Sequence, residues 1–92
     1  MRTVSIQVIG RVQGVFFRKY TRDAALKYGL TGFVKNQKDG SVYIEVSGSE
    51  AAIAEFEKWC YKGSPGSKVE QVKSQQIPEK QFSGFDIRYG NN

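Results

Sequence analysis

Nine consecutive residues, Gly10-Arg11-Val12-Gln13-Gly14-Val15-Phe16-Phe17-Arg18, bring together the groups that an oxyanion or phosphate needs. They follow Val4-Ser5-Ile6-Gln7-Val8, which alternates like a half-buried strand. They lead into Phe17, Thr21, Ala24, Ala25 and Tyr28, which recur at helical spacing. A loop that enters a helix N-terminus presents unpaired N–H donors and the positive end of the helix dipole. Gly14 lets the chain curl around a ligand without a Cβ penalty. Arg18 adds a planar, permanently charged fork matched to two phosphate oxygens. The motif is not a dinucleotide loop, because Gly10 and Gly14 lack a third glycine at the right spacing, nor a Walker loop, because no Gly-Lys-Ser or Gly-Lys-Thr follows. On these local features alone, a plain turn with a solvated arginine stays open.

The elements that must position this loop are readable from patterning. The first strand covers Thr3–Ile9, and a helix runs from Phe17 to Tyr28, stopped by Gly29. Thr31–Asn36 and Ser41–Val46 flank Gln37-Lys38-Asp39-Gly40, whose Asp-Gly marks the turn of a hairpin. A second helix starts at Gly48 or Ser49, with Ala52, Ile53, Phe56, Trp59 and Cys60 as its apolar stripe. A loop over Lys62–Ser67 precedes a fourth strand, Lys68–Gln76, in which Val69 and Val72 break the alternation. Ile77-Pro78 ends it, and Phe85, Ile87 and Tyr89 alternate into a short final strand. The order is βαββαβ plus one strand. The expected fold is α+β, a ferredoxin-like sandwich: an antiparallel sheet with both helices on one face and a short C-terminal strand.

Composition narrows the chemistry. Ninety-two residues suit one domain, taken as 1–92, and no repeat or linker divides them. A single cysteine permits no intramolecular disulfide, and Cys60 reads as a small core residue on its stripe. With no histidine and no cysteine cluster, a typical zinc or iron–sulfur site and a histidine triad are excluded. No stretch is long enough to span a bilayer, and the N-terminus runs straight into a strand, so a soluble, cytoplasmic chain is expected. Charge is lopsided: residues 1–38 carry eight Lys/Arg against Asp23 alone, while residues 39–92 carry six against eight Asp/Glu. The positive half holds the anion loop and would speed capture of an anionic ligand.

Two spaced motifs in the same order, Gly10–Arg18 and Gly32-Phe33-Val34-Lys35-Asn36 followed by Asp39-Gly40-Ser41-Val42, resemble acylphosphatases. Gly63-Ser64-Pro65 and the ending Phe85-Asp86-Ile87-Arg88-Tyr89 extend the resemblance over nearly the whole chain. It implies metal- and cofactor-free hydrolysis of the carboxyl-phosphate mixed anhydride of a small-molecule acyl phosphate. Inorganic phosphate would be both product and inhibitor. Carried over by position, Arg18 and backbone N–H groups of Gln13, Gly14, Val15, Phe16, Phe17 and Arg18 would bind the phosphoryl group. Asn36 would orient the attacking water, Gly14 and Gly40 would shape the loop and turn, and Ser41 would support the site from behind. Phe33 departs mildly, since many members have tryptophan there. No nucleic-acid or membrane partner is implied, and a monomer is expected.

Two other readings share the element order. A basic ferredoxin-like nucleic-acid-binding module would stack bases on aromatics of its central strands. Here the first strand offers Thr3, Ser5 and Gln7 on that face, and only Tyr43 suits stacking. An acylphosphatase-like domain of a carbamoyl-transfer protein of hydrogenase maturation is the other; a free-standing enzyme is the simpler expectation.

Overall fold

The computed structural model describes residues 1–89. Chain order is β1 (Arg2–Arg11), α1 (Phe17–Lys27), β2 (Thr31–Asn36), β3 (Val42–Gly48), α2 (Glu50–Lys62), β4 (Lys68–Ile77) and β5 (Phe85–Arg88). The expected elements are all present, β2 with the expected ends and the others with ends displaced by at most two residues. Tyr89 falls just beyond β5 instead of inside it.

The sheet runs β4-β1-β3-β2-β5. The four strands of the βαββαβ unit pair antiparallel, Ile6 opposite Ile44 and Val34 opposite Ile44 on the other side. The short fifth strand joins β2 in parallel, Val34 opposite Ile87, so the sheet as a whole is mixed. Alternation then decides the faces. Val4, Ile6 and Val8 of β1 and Val42, Ile44 and Val46 of β3 join one apolar cluster with Phe17, Ala24 and Ala25 of α1 and Ile53, Phe56 and Cys60 of α2. Both helices therefore cover one face. Phe17 and Phe56 meet Trp59 with ring centroids 5.5 and 6.0 Å apart, which ties the start of α1 to α2.

The broken alternation of β4 has a local cause. Ile9 pairs with Gln71 but Gly10 pairs with Val69, leaving Glu70 as an extra residue in a bulge. The extra residue puts Val69 and Val72 on the same side, where both pack against the core. Gly10 sits at φ +138°, and a Cβ there would run into the Lys68 carbonyl. Glycine at the strand end is thus required by the close approach of β4.

The face opposite the helices is more covered than the polar set Thr3, Ser5, Gln7 suggests. Residues 78–84 cross it. Lys80 donates its backbone N–H to Thr3 Oγ1 at 2.9 Å, and its carbonyl accepts from Ser47 Oγ at 2.8 Å. Lys80 Nζ lies 2.9 Å from Glu45, which also accepts a 2.6 Å bond from Tyr43 Oη. Phe82 meets Phe33 edge-on, centroids 6.0 Å apart. Tyr43, the one candidate for base stacking, is half-buried in this network.

Candidate active site

The N-terminus of α1 is left open, and that distinguishes it from α2. Ser49 caps α2 by accepting from the Ala52 N–H at 3.1 Å. At α1 the cap residue is Phe16, in the left-handed region at φ 56°, ψ 26°. No side chain caps it, and no acidic residue stands in its first turn. The N–H groups and positive dipole end there remain available to an outside anion.

A cleft of about 270 Å³ opens at this point. Val12, Gly14 and Phe16 from the loop line it, with Phe17, Arg18 and Lys19 from the first turn of α1. Asn36 at the end of β2 and Ile87 and Tyr89 at the end of the chain's described part complete the lining. Two segments that are far apart in sequence, the loop with Arg18 and the strand end with Asn36, thus share one cavity.

Arg18 is held by the C-terminal segment. Its Nη1 donates to the Arg88 carbonyl at 3.0 Å, and its guanidinium lies 4.6 Å from the centroid of the Tyr89 ring. Among the described residues no carboxylate pairs with it. Within the described residues its charge is therefore uncompensated, which suits a phosphate dianion.

Asn36 is half-buried, and its Oδ1 is shielded without a hydrogen-bond partner among the described residues. A buried acceptor left unbonded costs about 1–3 kcal/mol, so such groups concentrate where function needs them. The χ2 torsion of asparagine is broad, and no bond to Oδ1 locks the amide. It can offer its oxygen or its NH2 to a small polar molecule in the cleft.

What aligns the two halves is Gln13, whose side chain performs a task the residue pattern does not announce. Its Nε2 donates to the Gln37 carbonyl at 2.8 Å and the Ser41 carbonyl at 2.9 Å. The loop is thereby clamped to the turn that follows Asn36. Ser41, 3% exposed, braces that turn: its Oγ accepts from Gln37 Nε2 at 2.9 Å and Gln7 Nε2 at 3.2 Å, and donates to Asp39 at 2.5 Å. The Ser41 hydroxyl and backbone N–H together hold the Asp39 carboxyl below its ordinary range. Gly40 closes the turn at φ +91°.

Of the loop residues expected at the phosphate, Gly14, Phe16, Phe17 and Arg18 line the cleft, while Gln13 and Val15 do not. Gln13 is turned to the turn clamp. The Val15 carbonyl accepts from Ser64 Oγ at 3.1 Å, and Val15 packs with the core. Only their backbone is left for a ligand. Phe17 is 2% exposed and serves mainly as the core anchor of α1. Cys60 is a core residue as well, and burial pushes its thiol well above the ordinary range, the opposite of a nucleophile. Sequence reasoning missed the Gln13 clamp and the seat that Arg88 and Tyr89 give Arg18. Both are contacts across more than 20 residues, with no local signal.

The acylphosphatase family pattern matches residues 4–87. Acylphosphatase-2 from Gallus gallus is 41% identical over 93 residues, covering 97% of this chain and 90% of the relative. A crystal structure of acylphosphatase from Bacillus subtilis superposes with a TM-score of 0.93 at 39% identity, covering 97% of this chain and all of that one. Full-length HypF in a phosphate- and nucleotide-bound form superposes with a TM-score of 0.88 at 32% identity, but over only 12% of its own chain. With its loop, open helix end and strand-end asparagine in one cleft, the chain belongs to the acylphosphatase family of hydrolases.

Proposed function

We propose that this chain acts as one domain, in the cytoplasm and as a monomer, to hydrolyse acyl phosphates without a metal or cofactor. The observation that carries the reading is the shared cleft: Arg18, with no carboxylate partner among the described residues, at an uncapped helix N-terminus, with Asn36 in the same lining. Arg18 and the N–H groups of residues 13–18 bind the phosphoryl oxygens, where charge develops in the transition state. Asn36 hydrogen-bonds the water and places it in line with the leaving group. Water oxygen attacks phosphorus, and the bond between phosphorus and the acyl oxygen breaks with its electron pair going to the carboxylate. Both water hydrogens end on the phosphate. A carboxylate leaves readily, so no strong general acid is required. The chain has no histidine to act as one. Nor do the described residues hold a group of three His, Cys, Asp or Glu placed to ligate a metal. No helix among them is long and apolar enough to cross a membrane. The charge excess of residues 1–38 steers the dianionic substrate to the loop.

Hydrolysis of benzoyl phosphate in the presence of a chelator tests this directly. Turnover that is unaffected by the chelator and competitively inhibited by inorganic phosphate is expected. Folded protein without turnover would overturn it.

A further inference from the structure

Phe16 is the only non-glycine among the described residues with positive φ. The loop enters α1 through this left-handed residue, in a conformation that glycine would adopt without strain. The ring brings folding nothing in return. It is 76% exposed, whereas the next residue, Phe17, is 2% exposed and does the packing. Phe16 does line the cleft, together with Ile87 and the 68%-exposed Tyr89. With the phosphoryl group on Arg18, the acyl group must lie along the rest of this lining.

We infer that Phe16 determines acyl-group specificity: its ring, with Tyr89 and Ile87, forms an apolar wall that favours aromatic and bulky apolar acyl groups over acetyl. This rests on the acylphosphatase reading above. An exposed aromatic at a strained position persists only if it contributes elsewhere, and apolar contact with the part of the substrate beyond the phosphate is that contribution. Phosphate binding by the backbone of residue 16 is a separate role that any residue at this φ can fulfil.

The test is kcat/KM for benzoyl phosphate and acetyl phosphate in wild type, Phe16→Gly and Phe16→Leu. Glycine tolerates φ 56°, so the first variant keeps the loop's backbone geometry. Comparing each variant's benzoyl-to-acetyl ratio with that of wild type cancels the different leaving abilities of benzoate and acetate. In Phe16→Gly the ratio falls about tenfold, mainly through a raised KM for benzoyl phosphate, and Phe16→Leu recovers part of it. A ratio within about twofold of wild type in Phe16→Gly overturns the specificity role, even if both activities drop together. Failure of wild type to hydrolyse either compound would overturn the acylphosphatase reading itself, and this inference with it.

Discussion

The Arg18 guanidinium donates to the backbone carbonyl of Arg88 at 3.0 Å, so β5 orients the charge at the start of α1. The Tyr89 ring, 4.6 Å from the same guanidinium, completes the seat. A flexible side chain with five donors is in this way fixed before ligand arrives.

Tyr89→Ala removes the ring and leaves the carbonyl. A cation–π contact at an exposed site contributes about 0.5–1 kcal/mol. The inhibition constant for inorganic phosphate should therefore rise about two- to fivefold, with little change in the urea midpoint. An unchanged constant would mean that the Arg88 carbonyl orients Arg18 alone.

Gln13→Ala breaks the clamp between the loop and the turn after Asn36. Two carbonyls, of Gln37 and Ser41, lose a donor. The stability loss should be about 1–3 kcal/mol by urea denaturation. Turnover should fall further than phosphate affinity, because the loop keeps Arg18 while its alignment with Asn36 relaxes. Equal losses in the two would argue against the clamp as an alignment device.

Phe56→Ala separates stability from chemistry. The side chain is fully buried and stacks with Trp59. Its truncation should cost about 3–5 kcal/mol. The folded fraction, measured in conditions where it persists, should retain its kcat.

Acid should weaken the fold through Glu45 and Asp39. Burial alone would raise the Glu45 carboxyl, but bonds from Tyr43 and Lys80 and the charges of Lys80 and Arg88 outweigh it and hold the carboxyl below its ordinary value of 4.5. Asp39 is held below 3.8 by Ser41. Between the folded and unfolded values the unfolded chain binds more protons, so stability rises with pH in that window. The contribution is complete above about pH 5 and is lost as pH falls through the folded values. Urea midpoints should drop steadily below about pH 5, and less steeply in Glu45→Gln, whose neutral amide no longer titrates there. At the alkaline end, burial and Glu45 push the Tyr43 hydroxyl up to about 12, so its contribution persists below pH 10 and fades as pH rises towards 12.

Much of this arrangement is legible in the residues themselves. Val42, Ile44 and Val46 give β3 its core face, Gly29 ends α1, and the Asp39-Gly40 turn sets the hairpin that brings Asn36 to its place. What is not legible depends on partners far along the chain. The clash of Val69 and Val72 with simple alternation makes sense only once Gly10 and the bulge opposite it are known. Four residues of β5 carry no register signal strong enough to announce parallel pairing with β2. The burial of Glu45, and of Thr3 on a face that reads as open, comes from Lys80 and its neighbours crossing the sheet. In the cleft, the types and spacing point to Arg18 and Asn36. The Gln13 clamp and the exposed, strained Phe16 emerge only in three dimensions.

The division of labour between Arg18 and Asn36 is the centre of the account, and one paired measurement tests it: kcat for benzoyl phosphate and the inhibition constant for inorganic phosphate in Asn36→Ala. The predicted result is a loss of turnover of about 100-fold or more with phosphate inhibition close to wild type, since a water-placing group acts on the way to the transition state and not in binding the anion. Near-normal turnover, or parallel loss of turnover and phosphate affinity in a folded variant, would contradict it.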